Sequence, residues 1–195
     1  QQLYEGVDIE GEGTIGLITY MRTDSLRLSE DALDAAKQFI VARYGADYYP
    51  PETRRFKAKA NAQDAHEAIR PSNVELTPEL VRKSLTQEQY RLYKLIWSRF
   101  LSCQMANAVY DSLSIDINAG PHLFRATHTE QKFSGFTAVY EASKDEEDGE
   151  RNSPLPDLAE GEPLSLKEAE GAQHFTQPPA RYSEATLIRV LEEKG

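Results

Sequence analysis

The sequence predicts an α+β protein, helical in its first half and β-rich beyond residue 108. Three observations lead there. Apolar residues before that point recur at helical spacing behind recognisable caps, whereas those after it alternate with polar ones. Net charge divides at nearly the same place. Residues 1–110 carry 14 Lys+Arg and 15 Asp+Glu, a net of −1, and residues 111–195 carry 8 and 17, a net of −9. With 39% hydrophobic residues in 195, the chain can form a core within one or two domains.

In the first half, "QQLYEG" reads as the last turn of a helix whose start is missing, so the chain is expected to be cut from a larger protein. "GLITYMRTDS", 16–25, opens as a short apolar strand. Ser29 is placed to cap a helix, with Glu30 and Asp31 favourable to its first-turn dipole. Leu33, Ala36, Ile40 and Tyr44 then repeat at helical spacing, and Gly45 stops the run. "QDAHEAIR", 63–70, reads as a helix ended by Pro71. Thr77-Pro78 starts another, with proline at its first position. Thr86 and Gln89 form a capping box ahead of a wide stripe of Tyr90, Tyr93, Ile96, Trp97, Phe100 and Leu101, which reads as core rather than a base-stacking platform.

In the second half, Val109, Leu113, Ile115 and Ile117 share one parity and Ser112, Ser114 and Asp116 the other, as in a half-buried strand. "HLFRATHTE" and "FSGFTAVYEA" continue as strands of a meander, and "EPLSLKEAE" as one more. The acid-rich, proline-containing stretch 143–156 reads as a solvated loop rather than a metal cluster, because no apolar strand fixes its carboxylates. "QPPARYSEA" is a proline linker into a last helix capped by Ser183. The expected domains are therefore 1–107, 108–177 and 178–195. No internal repeat occurs.

Several classes are disfavoured. No apolar run reaches the roughly 18 residues of a membrane helix, and no secretion signal opens the chain. The one cysteine, Cys103, excludes an internal disulfide and a cysteine-rich zinc site, and its apolar setting reads as a buried structural thiol. A net charge of −10 argues against a general polyanion binder, though the near-neutral first half leaves room for a basic patch. "RRFKAK", 54–59, with four cations in six residues, suits a solvated loop as well as a phosphate contact.

Two polar clusters carry chemistry. On a strand, Tyr20 and Arg22 would share a face, roughly 6–7 Å apart. A phenol with an ordinary pKa of about 10 is a poor nucleophile at neutral pH, and a neighbouring guanidinium favours the phenolate and holds a phosphate oxygen. The pair suits attack on a phosphodiester, but spacing alone favours a cross-strand packing pair. In the second cluster, a helix would place His66 and Arg70 one turn apart as a phosphate-binding pair, with a structural His66 bond to an acidic neighbour as the alternative. There is no Gly-rich phosphate loop, H-E-x-x-H or Ser-His-Asp pattern.

"GLITYMRTDS", "DAHEAIRPS" and "HFTQPPARYSEATLIRVLEEKG", in this order and spacing, together resemble bacterial DNA topoisomerase I, a type IA topoisomerase. The resemblance spans essentially the whole chain. It implies a helical active-site domain followed by part of a β-rich arch that acts as a hinge, within a multi-domain toroidal enzyme. It makes Tyr20 the nucleophile, Arg22 the residue that assists cleavage and positions the scissile phosphate, and His66 a DNA contact near the cleavage site. Thr19, Asp24 and Arg70 lie in the matching blocks and are carried over as DNA-binding residues. It also implies a transient 5′-phosphotyrosyl link to single-stranded DNA, passage of the other strand, and ATP-independent relaxation of negative supercoils. The family's Mg²⁺ is held by a Glu and an Asp-x-Asp cluster in a Toprim domain. Neither 143–150 nor Glu160/Glu162 resembles it, so the metal's ligands are expected outside this chain and the chain alone is expected not to relax DNA. A monomer in the bacterial cytoplasm, at the nucleoid, is expected. Two other readings stand beside this one: a non-catalytic single-stranded-DNA-binding or hinge module, and a phosphodiesterase with a tyrosine nucleophile, disfavoured because no water-activating residue is evident.

Overall fold

A computed structural model describes residues 1–56, 66–140 and 154–194. They form an α+β structure with two compact units, residues 1–155 and 156–195. The first unit begins with a single helical turn, α1 (Gln2–Glu5), and a small hairpin of β1 (Val7–Ile9) and β2 (Gly13–Ile15), paired Val7 to Ile15. Helices α2 (Glu30–Tyr44), α3 (Pro78–Val81) and α4 (Gln87–Gln104) supply most of the core.

The helices start where the caps place them. The Ser29 hydroxyl accepts from the Ala32 amide, the Thr77 hydroxyl from the Leu80 amide, and Thr86 and Gln89 exchange both bonds of a capping box. Phe39 and Ile40 of α2 meet Tyr93, Trp97, Phe100 and Leu101 of α4, with Phe39 and Trp97 edge to face at 5.6 Å. The polar ends of the two largest aromatics are satisfied. The Trp97 indole donates to the Val74 carbonyl at 2.9 Å and the Tyr93 hydroxyl to the Leu76 carbonyl at 2.6 Å. Two buried donors thus tie the 72–77 connection to α4, and burial pushes the Tyr93 phenol far above its ordinary pKa. Cys103 is only half-buried on α4.

Strands β3 (Val109–Ala119) and β4 (His122–Phe133) form an antiparallel ribbon, with Ile115 opposite Ala126. Its base is pinned to the helical body. Tyr48 stacks on Phe133 at 4.7 Å, donates or accepts a bond with Ser134, and receives the Ala106 amide at its carbonyl. One ribbon face carries Leu113, Ile115, Ile117 and Phe124, and the other has Ser112–Thr129, Ser114–Thr127 and Asp116–Arg125 pairs. The alternation is as expected, but the strand is not half-buried: Leu113 and Phe124 are largely exposed.

Four expected elements differ. Residues 16–25 form no strand: the Leu17 and Ile18 amides both go to the Leu3 carbonyl rather than into a ladder, and only Ile18 makes a bridge, to Pro71. Residues 66–70 are not helical, because the Ala68 and Arg70 amides are spent on Arg27 and Thr19, leaving no i to i−4 ladder; residues 63–65 lie outside those described. Gly135–Ala138 is a 3₁₀ turn instead of a strand. Gly135, at φ +50°, lies so close to the Ala106 and Asn107 carbonyls that a Cβ would collide with them, and Phe136 donates to Ala106. Residues 162–170 form no strand, since no described strand lies beside them. The loop at 143–153 lies outside the described residues. The β1–β2 hairpin was not anticipated.

In the second unit, an extended segment leads to α5 (Glu184–Lys194), whose Ser183 cap receives the Thr186 amide. No helix among the described residues is long and apolar enough to cross a membrane.

Replacing Tyr93 by Phe removes one hydroxyl and leaves the Leu76 carbonyl without its donor. Tyr93→Phe should lower unfolding free energy by about 1–2 kcal/mol with no change in m-value, as measured by urea denaturation.

Candidate active site

The segment 16–25 is irregular because its backbone is held from two sides. The Leu17 and Ile18 amides both donate to the Leu3 carbonyl of α1, at 2.7 and 3.2 Å. On the other side, the Thr19 amide donates to the Arg70 carbonyl at 2.9 Å and the Ser72 amide to the Leu17 carbonyl at 2.9 Å. The Thr19 hydroxyl closes the junction by donating to the Ala68 carbonyl at 2.8 Å and accepting from the Arg70 amide at 3.0 Å. Gly16 permits the approach of α1, since a Cβ there would collide with the Tyr4 carbonyl oxygen.

Tyr20 leaves this junction for solvent, with 40% of its surface exposed. Its ring meets Tyr4 edge-on at 5.4 Å and His66 at 5.6 Å, tilted by 42°. The two polar clusters read from sequence therefore do converge, through Tyr20 and His66. They converge differently from the expected geometry. The bends at Met21 and Arg22 remove the strand repeat that would set Tyr20 and Arg22 on one face. Arg22 and Asp24 are exposed, and neither side chain bonds to another described residue. Downstream, Thr23 and Ser25 hydroxyls accept from the Ser25 and Arg27 amides, turning the chain toward Ser29.

Arg70 does not stand one turn from His66 on a helix. Its guanidinium pairs with Glu67 at 2.8 Å and donates to the Pro71 carbonyl at 3.0 Å. Its Nε is buried without a partner among the described residues. The other oxygen of Glu67 receives the Ser29 amide at 2.5 Å. Glu67 thus joins the start of α2 to the segment that carries His66. Its burial opposes ionisation, but the bonds from Ser29 and the charge and bonds of Arg70 outweigh this and hold the carboxyl below its ordinary pKa.

In "RRFKAK", Arg54 donates to Asn107 and Arg55 forms a two-bond ion pair with Glu30, so both serve local structure; residues 57–59 lie outside those described. Among the described residues no group of three or more His, Cys, Asp or Glu converges to hold a metal ion.

Sequence reading missed Tyr4 and Glu67. Tyr4 lies in a helical turn with no motif, and its approach to Tyr20 depends on tertiary docking. Glu67 had a visible signal, an acid three residues before Arg70, but a helix would have used that spacing differently.

The site thus presents an exposed phenol in contact with two rings, with an exposed guanidinium two residues on. Residues 1–195 match the family described as DNA topoisomerase, and the chain belongs to that family, in its bacterial type IA branch. Among solved structures it is similar to full-length topoisomerase I from Thermotoga maritima, with 32% identity and a TM-score of 0.72 over 99% of this chain. The match covers 30% of that protein's chain, so the present chain spans under a third of its length.

The depressed carboxyl of Glu67 contributes stability that is fully present above its unfolded pKa of about 4.3 and disappears as pH falls through the lower folded value. Glu67→Gln should therefore cost about 1–3 kcal/mol at pH 7, because Arg70 loses its charge partner. The difference from the parent should shrink between pH 5 and pH 3 in urea unfolding measured across that range.

Proposed function

We propose that this chain is the tyrosine-bearing part of a type IA DNA topoisomerase that cuts single-stranded DNA transiently. The observation that carries the reading is the exposed Tyr20 ring, seated against His66 on a backbone clamped from both sides. The Tyr20 phenol gives up its proton to solvent and its oxygen attacks the scissile phosphorus. The bond to the 3′ oxygen breaks, and that oxygen leaves as a 3′-hydroxyl after taking a proton. The 5′-phosphate stays on tyrosine as a phosphodiester, so its bond energy is kept and religation is the same displacement in reverse. Passage of the other strand through the gap relaxes negative supercoils without ATP.

Arg22 is the phosphate-holding group in this reading. Its guanidinium is free of other described partners and has the planar fork that matches two phosphate oxygens. His66 contacts DNA beside the cut. Thr19 and Arg70 serve the DNA contact through the backbone they fix, and Asp24 stands exposed at its edge. Mg²⁺, which the whole enzyme would need, is assigned to ligands outside this chain. The isolated chain then does not relax plasmid. The family, membership of which rests on the whole chain, favours this over a non-catalytic hinge module. A monomer acting at the cytoplasmic nucleoid completes the proposal.

The test uses the full-length enzyme that contains this chain. Tyr20→Phe removes only the hydroxyl and should abolish denaturation-resistant DNA adducts while leaving most DNA binding. Arg22→Lys keeps the charge but not the fork, and should slow cleavage about ten- to hundredfold with a smaller loss of affinity. Adducts from the Phe variant would reject Tyr20 as nucleophile. Near-normal cleavage by the Lys variant would reduce Arg22 to a general electrostatic contributor.

A further inference from the structure

We propose that Tyr4 is a positioning residue for Tyr20: its ring edge restricts the Tyr20 side chain to the orientation from which the phenol is presented. This rests on the reading of Tyr20 as nucleophile. Tyr20 is 40% exposed, and an exposed tyrosine ordinarily samples several χ1 wells. Here the ring contacts two others, Tyr4 at 5.4 Å and 67° and His66 at 5.6 Å and 42°. An edge-to-face contact is a favoured aromatic geometry.

The Tyr4 backbone is firmly placed, although the residue is itself 41% exposed. Its neighbour Leu3 is buried, and the Leu3 carbonyl takes two amides from the segment leading to Tyr20. Gly16 lets the Tyr4 backbone approach to a distance that no other residue would allow. The same junction therefore sets the backbone positions from which the two rings meet, and the ring contact limits the Tyr20 side chain. A nucleophile held near its attacking orientation gains rate through avoided entropy loss. A single aromatic contact of this kind corresponds to about a three- to tenfold effect.

The experiment uses the full-length enzyme, with a single-stranded oligonucleotide as substrate. Tyr4→Leu should form covalent adduct about three- to tenfold more slowly in a single turnover, with unchanged oligonucleotide Kd and thermal midpoint. Tyr4→Phe, which keeps the ring, should restore the parent rate. Fluorotyrosine placed at position 20 reports the orientation directly by ¹⁹F NMR. Its ring should be ordered in the parent and should sharpen toward free averaging in Tyr4→Leu. A freely averaging ring in the parent overturns the proposal, even if the leucine variant does not fold. So does a leucine variant that cleaves at the parent rate, a phenylalanine variant as slow as leucine, or a rate loss matched by lost affinity. Tyr20→Phe is measured alongside: adduct formation by that variant rejects the nucleophile assignment, whereas the ¹⁹F result still reports on positioning.

Discussion

The Thr19 hydroxyl is the constraint on which the site depends. It donates to Ala68 and accepts from Arg70, and the Thr19 amide returns a bond to Arg70. These three bonds fasten two segments about fifty residues apart in the chain. One leads to Tyr20 and the other follows from His66. A hydroxyl is needed there because one atom must both donate and accept at a half-buried position, and an unpaired amide or carbonyl at such a junction is costly. The Leu3 carbonyl performs the matching task on the other side, and Gly16 makes room for it.

This arrangement explains how an irregular segment holds its side chains steadily. Regular helices satisfy their backbone groups within the helix, and strands satisfy theirs against a neighbouring strand. In residues 17–19 and 68–72 the bonds instead run between the two segments, to α1 and to Arg27. The charged link from Glu67 to Arg70 and Ser29 extends the junction to the start of α2, and α2 is packed on α4 through Phe39 and Trp97. Tyr20 thus projects from the surface while the backbone beneath it is tied to the core. Arg22 and Asp24 lie beyond the clamp and are exposed.

What the sequence made legible follows from where each interaction is local. Ser29, Thr77 and Thr86 cap helices through groups three residues away, so their positions could be read directly. The alternation in 109–117 marked the ribbon, though burial did not follow because a two-stranded ribbon has a face with no described layer upon it. The apolar start of "GLITYMRTDS" suggested a strand because strand and buried coil share composition. Only the partners of Leu17 and Ile18, which come from α1 and residues 70–72, distinguish them. In the same way "DAHEAIR" has helical composition but loses its amides to Arg27 and Thr19. Tyr20, Arg22 and His66 stood out as polar clusters, their expected roles came only from resemblance to a family, and the Tyr20–His66 contact followed from tertiary pairing that no spacing rule contained.

Native-state hydrogen exchange at the Leu17, Thr19, Ala68, Arg70 and Ser72 amides tests this account most directly, compared with the core amides of α4. If the clamp holds the site, these five amides should be protected nearly as well as those of α4 and should open together. They should lose that protection as a group in Thr19→Val, which removes the hydroxyl but keeps the shape. Near-unprotected exchange at Thr19 and Arg70 while α4 stays protected, or full protection in the valine variant, would contradict it.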